Sequence, residues 1–276
     1  MKLHSRGWLR KFYRWSWLLV LLVAGRQAFA GPPFQTDDPE PVEFRHFEMY
    51  AFELSDTTSS GTTLEVPAYE VNWGAAPGLQ LHLVVPLVAN IPSDGSMSYG
   101  IGDTELGAKY RFVKEKKWMP EVGIFPFIEL PSGNAEKGLG VGTTWYRLPL
   151  WLQKSWGPWT TYGGGGEAVV PASGSKNYPF AGWLVQRQLN KKLTLGGELF
   201  GHGQITPDSD SSTMLDVGGI YEFREGFDLL FTGGHSVAGQ SETYTYVALY
   251  WTWGPKDAKD SSGGLAAMLR KAHLRF

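Results

Sequence analysis

The 276-residue chain has no cysteine, no long apolar run beyond its first 25 residues, and a net charge of only −2. Each shortage excludes something. Without cysteine there is no disulfide framework, so an exported chain of this size must be held by a sizeable core or a closed hydrogen-bonded ring. Without a stretch near the ~20 apolar residues that span a bilayer, no transmembrane helix is expected. Without a basic excess or patch, no nucleic-acid partner is expected. The six histidines are scattered, with no His-x-x-x-His pair and no clustered aspartates, so no metal site and no cofactor are read.

Catalytic signals are equally scarce. A nucleophile needs a base beside it and a third group to orient that base. Gly201-His202-Gly203 and Gly234-His235-Ser236 are the only suggestive spots. Adjacent strand residues face opposite ways, so His235 and Ser236 form no dyad by adjacency. The Gly163–Gly166 run lacks the Lys-Ser/Thr of a phosphate loop. The chain reads as a non-enzyme.

What is present begins with a basic start, Lys2, Arg6, Arg10, Lys11 and Arg14, then an eleven-residue apolar run from Trp15 to Gly25, then Ala28-Phe29-Ala30. This is the order of a secretory signal peptide over 1–30, cleaved after Ala30. A membrane anchor is the alternative, and the run is well short of a span. Residues 31–41 carry four prolines and Asp37-Asp38, and read as an extended periplasmic lead-in.

Glycine (35) and aromatic residues (39) are abundant, while the mean hydropathy is −0.21. A helical membrane protein would be far more apolar. A membrane barrel has this polarity because only alternate residues face lipid. Gly102–Phe112 shows the pattern: Asp103, Glu105, Gly107, Lys109 and Arg111 on one face, Thr104, Leu106, Ala108, Tyr110 and Phe112 on the other. Twelve segments have strand composition: 42–54, 62–73, 79–88, 102–113, 120–130, 141–154, 159–169, 179–189, 193–203, 213–223, 227–237 and 243–253. Most have the length of a tilted transmembrane strand. Leu79, Leu81, Leu83, Val85 and Leu87 share one face of the third. Leu193, Leu195, Gly197 and Leu199 share one face of the ninth, and Val247, Leu249, Trp251 and Trp253 one face of the last. The first keeps no single parity. Pro67, Pro86, Pro126 and Pro149 imply bulges or weakened strands.

The connections fall into two alternating sets. Ser55–Gly61, Ala89–Ile101, Pro131–Gly140, Val170–Tyr178, Gln204–Ser212 and Ala238–Glu242 are mostly long and polar. Gly74–Gly78, Lys114–Met119, Ser155–Pro158, Asn190–Lys192 and Arg224–Gly226 are shorter. The expectation is an all-β fold: a transmembrane antiparallel up-and-down β-barrel of about 12 strands over 42–254, with short periplasmic turns and longer extracellular loops. Tryptophans near strand ends, such as Trp73, Trp118, Trp156, Trp159, Trp251 and Trp253, suit an interfacial girdle, with core packing as the plainer reading.

Thr36-Asp-Asp-Pro39, the Gly102–Phe112 stretch, Pro120 with Pro126, and Leu130-Pro-Ser-Gly-Asn134 together resemble the outer-membrane barrels described as the "putative MetA pathway of phenol degradation", a transporter-like family. The resemblance covers most of the mature chain. It implies a Gram-negative outer-membrane location and a channel for passive uptake of small solutes, hydrophobic or aromatic ones included. Outer-membrane lipids, the barrel-assembly machinery and a small-molecule solute are the implied partners. A plugged structural or adhesion barrel is the alternative, and a membrane lipid-modifying enzyme a weaker one.

The candidate chemistry is the lumen. Its expected acids are Glu70, Glu105, Glu121, Glu129, Glu167, Glu198, Asp216, Glu222 and Asp228. Lys109, Arg111, Arg147, His82, His202 and Gln80 join them, with Phe125, Phe127, Phe200, Tyr246 and Tyr250 as inward aromatics. Their role is solute selection, or ion pairing that braces a filled lumen. The acidic excess favours cations or neutral solutes over anions. After the last strand, 255–276 reads as a basic tail, either a short amphipathic helix or disordered chain. Trp251-Thr-Trp253 is the expected assembly signal, with Phe276 as its rival.

Overall fold

A computed structural model describes residues 33–255. The signal-peptide reading and nearly all of the tail therefore lie outside the described residues. The described residues form fourteen strand segments: β1 (Phe47–Thr58), β2 (Gly61–Ala76), β3 (Leu79–Pro92), β4 (Ser98–Ile101), β5 (Thr104–Val113), β6 (Glu121–Ile124), β7 (Phe127–Leu130), β8 (Trp145–Trp156), β9 (Trp159–Val169), β10 (Tyr178–Gln188), β11 (Leu193–His202), β12 (Ser212–Arg224), β13 (Phe227–Gly239) and β14 (Glu242–Trp253). β4 and β5 lie end to end along β3, and β6 and β7 lie end to end between β5 and β8. The fourteen segments thus make twelve staves. Every neighbouring pair is antiparallel, and β1 meets β14 from Phe47↔Trp253 to Thr58↔Glu242. The sheet closes on itself, so no ladder is left unpaired at an edge.

Prolines sit where staves are interrupted, because proline has no N–H to donate. Pro126 separates β6 from β7. Pro67 lies at a register shift between β2 and β3. Pro149 lies on β8 between the portion paired with β6 and that paired with β7. Three tight turns at one end, at Gly78, Gly157 and Gly226, each use a positive φ that glycine adopts without strain. The longest connection, 131–144, stands at the other end and contains a short 3-10 turn, Ala135–Lys137. Two connections differ from expectation. Strand pairing continues to Thr58↔Gly61, so the first long loop is a tight turn, and the last is only 240–241. Cross-strand pairing extended these staves past their apolar residues into Thr-rich sequence.

The outward face is apolar: Leu81, Leu83, Val85, Leu106, Trp183, Val185, Leu199, Leu215, Val217, Val247 and Leu249 are all exposed there. The alternate residues are buried inside the ring. One interior cluster joins Tyr50, Phe52, Met214, Leu230, Tyr244, Tyr246 and Tyr250, and a second joins Phe125, Trp151, Phe180 and Phe200. Aromatic stacks ring the tight-turn end on the outside, with Phe47 between Trp73 and Trp253 at 6.2 and 5.6 Å. No described helix is long and apolar enough to cross a membrane, and the crossing is made by strands.

The lead-in does not trail away from the ring. β1 starts at Phe47 rather than near 42, and the chain before it folds back into the lumen from the tight-turn end. Pro33, Phe34, Thr36, Asp38, Pro39 and Val42 are buried there. Phe34 packs on Tyr162 and Leu184.

Candidate functional site

The interior is built from two layers, the inward side chains of the wall and the lead-in seated against part of it. The lead-in is held mainly by ions and hydrogen bonds. The Lys109 ammonium is 2.8 Å from Asp37 and 3.4 Å from Asp38. The Glu198 carboxylate accepts the backbone N–H groups of Gln35 and Thr36. Gln35 Nε2 donates to Asp216 at 3.2 Å. Farther toward the tight turns, Arg111 lies between Glu40 (3.8 Å) and Glu121 (3.3 Å), and Gln153 donates to Glu40. Val42 N–H donates to Gln80 Oε1 at 2.9 Å. Glycines at wall positions leave room: a Cβ on Gly182 would overlap Thr36, and one on Gly123 would press on Pro39.

Beside the lead-in remains a cavity of about 830 Å³. Its wall comes chiefly from β1, β2, β3, β5, β7, β8 and β14. Leu139 and Val141 of the long connection line it at the far end. That connection is pinned by Asp103, whose carboxylate accepts the N–H groups of Gly133 and Val141 at 2.9 and 2.7 Å. His82 stands in the wall of the cavity, with Nε2 2.6 Å from Glu105 and Nδ1 2.7 Å from Asn72, while Glu70 is 3.4 Å away. Its ring meets Phe125 edge-on at 5.0 Å. The Arg147 guanidinium lies over Phe180 at 4.0 Å and Phe127 at 5.5 Å.

The expected lumen residues divide into three sets. Gln80, Lys109, Arg111, Glu198 and Asp216 hold the lead-in, and Glu121 pairs with Arg111 behind it. Glu70, His82, Glu105, Phe125, Phe127, Glu129 and Arg147 line the cavity. His202, Glu222 and Asp228 lie inside the ring but apart from it, with His202 3.1 Å from Glu242 and Asp228 opposite Glu222. Glu167 is a correction. It is exposed on the outer side, opposite the outward Leu148, because even-numbered residues of β9 (Thr160, Tyr162, Ala168) face inward. The four glycines before it have no side chain to reveal that parity.

Sequence reasoning missed Asp37, Asp38 and Glu40 as interior groups, and it missed Glu48 and Glu65 on the cavity wall. The acidic pair Asp37-Asp38 was visible, yet its partner Lys109 is 71 residues away from Asp38. Glu48 follows the inward parity of Tyr50 and Phe52 and accepts both Tyr250 and Tyr50 hydroxyls, at 2.8 and 3.2 Å. Among the described residues no group of three or more His, Cys, Asp or Glu is arranged to hold a metal ion.

Comparisons with known proteins place this geometry. The family model described as "Putative MetA-pathway of phenol degradation" matches residues 51–251. No curated protein matches the chain in sequence. The structure is similar to the COG4313 outer membrane channel from Pseudomonas putida F1, with a TM-score of 0.63 at 14% identity, covering 82% of this chain and 100% of that one. It is also similar to the KdgM porin in complex with disordered oligogalacturonate, with a TM-score of 0.53 at 12% identity, covering 75% and 99%. The NanC porin gives 0.52 at 10% identity, covering 74% and 98%. At these identities the likeness speaks to the fold.

Proposed function

The chain belongs to the family described as "Putative MetA-pathway of phenol degradation", and on that premise we propose that it is an outer-membrane channel admitting small solutes by passive diffusion. The observation that carries this reading is the pairing of an apolar outer wall with a charged, aromatic-lined cavity of about 830 Å³ inside a closed ring. Charges facing hydrocarbon would cost about 2–4 kcal/mol each for basic groups at mid-membrane, and a solvated lumen removes that cost. Phe125, Phe127, Tyr246 and the Arg147 face favour aromatic or hydrophobic solutes. A Gram-negative outer membrane, entry through a cleaved signal peptide, and tight turns on the periplasmic side complete the reading.

The second reading is a plugged structural or adhesion barrel. The buried ion pairs of the lead-in favour it, since a permanently seated segment narrows the passage. A non-enzymatic role is part of both readings. Planar-bilayer conductance of the purified protein, with growth of a deletion strain on aromatic carbon sources, separates them. Transport requires conductance or an uptake defect, and a silent result in both supports the plug.

A further inference from the structure

The cavity has more acid than base, and the imbalance is local. Glu105 on β5 and Glu129 on β7 are directly opposite each other in the ladder and face the same space. Like charges so placed repel, and the two carboxyls here hydrogen-bond to each other, one of them keeping its proton. Glu65 on β2 lines the same space and lies near Glu105. His82 is bound to Glu105 and close to Glu70. Lys109 is taken by the lead-in, and the Arg147 guanidinium, also on the cavity wall, lies over the Phe180 and Phe127 rings. Neither Glu65 nor Glu129 has a basic ion-pair partner among the described residues.

A second observation is independent of the acids. Tyr246 on β14 lines the cavity and is only 4% exposed, and its hydroxyl has no hydrogen-bond partner among the described residues. A buried hydroxyl without a partner has lost its hydration unrepaid, so a group that supplies a partner is favoured there. Phe52 lies beside it, ring centroids 5.3 Å apart, and Phe125 and Phe127 face the same cavity. Carboxylates set among aromatic faces recognise one class of small molecule, a positively charged nitrogen on an apolar body, because ring faces and carboxylates both attract that charge.

We propose that the cavity binds organic monocations, an ammonium on an apolar or aromatic body, with Glu65 and Glu129 facing the charge and the Tyr246 hydroxyl accepting an N–H. This deepens the channel reading and rests on it for how the ligand arrives. The ammonium takes the place of the proton that Glu105 and Glu129 share, which passes to solvent, and the aromatic wall takes the body. Anions are repelled by the same acids.

The test is calorimetric titration of the purified full-length mature barrel in non-ionic detergent with benzylammonium, benzyltrimethylammonium, benzyl alcohol and benzoate. Both cations are expected to bind roughly tenfold or more tighter than the alcohol, with benzoate weakest. Glu65→Gln with Glu129→Gln together should erase that advantage and leave benzyl alcohol unchanged. Tyr246→Phe should weaken benzylammonium several-fold while sparing benzyltrimethylammonium, which has no N–H. Equal binding of the cations and the alcohol by the unaltered protein overturns the proposal, and that comparison needs no variant to fold. A cation preference that survives the double substitution overturns it too. Swelling of proteoliposomes with neutral solutes separates this from the channel reading. Solutes that pass without any cation preference in binding sink only the proposal. A cation preference in a barrel that passes nothing sinks only the channel.

Discussion

Lys109 is 4% exposed, and its charge is answered from within the lumen by Asp37 and Asp38 of the lead-in. Removing one partner of such an arrangement leaves uncompensated buried charge, at about 3–5 kcal/mol. Lys109→Met should therefore release residues 33–42, seen as new protease cleavage in that segment and as raised bilayer conductance. Glu40 offers a gentler control. Burial, with Glu121 nearby, raises its carboxyl from an ordinary 4.5 to about 7, while Arg111, Gln153 and Lys109 oppose the shift. A raised acid favours the docked state when protonated. Docking is then strongest below about 4.5 and is lost progressively as pH rises through about 7. Protease sensitivity of the lead-in should increase between pH 5 and pH 8, and Glu40→Gln should flatten that dependence.

At the scale of elements, the wall was readable wherever a strand carried a full alternating set. β3 places Leu81, Leu83 and Val85 outward and Gln80 and His82 inward, as their parity requires. β9 was not readable in this way, because Gly163–Gly166 are blank on both faces, and Glu167 came out on the wrong side. β1 was ambiguous because Phe47 belongs to the outer stack, whereas Tyr50 and Phe52 fill the interior. The lead-in was least legible. A proline-rich segment has no period, and its partners are spread over β3, β5, β8, β11 and β12, so no local pattern announces it. Its seat depends on small wall residues as well as charge. Gly182→Val should push Thr36 away and loosen the segment, raising conductance without lowering the barrel's resistance to heat in gel migration.

For the whole molecule, alternation settled the closed ring and its polar inside because lipid imposes one rule on every stave. The cavity was not legible, since its acids meet only after β2, β5 and β7 are curled together. The two faces differ in what they tolerate. Leu83→Arg on the outer side should cost about 2–4 kcal/mol if it lies near mid-membrane, seen as a lower unfolding midpoint in denaturant. Asp228→Asn, on the inner side opposite the like-charged Glu222, should leave that midpoint nearly unchanged.

The lead-in's anchoring side chains reside on staves from β3 through to β12, and the seam between β1 and β14 is the last join along the chain. The segment consequently has nowhere to dock until most of the ring exists. Its seating marks the end of assembly, and a half-built barrel would leave those few residues hanging free as a visible sign of an unfinished job.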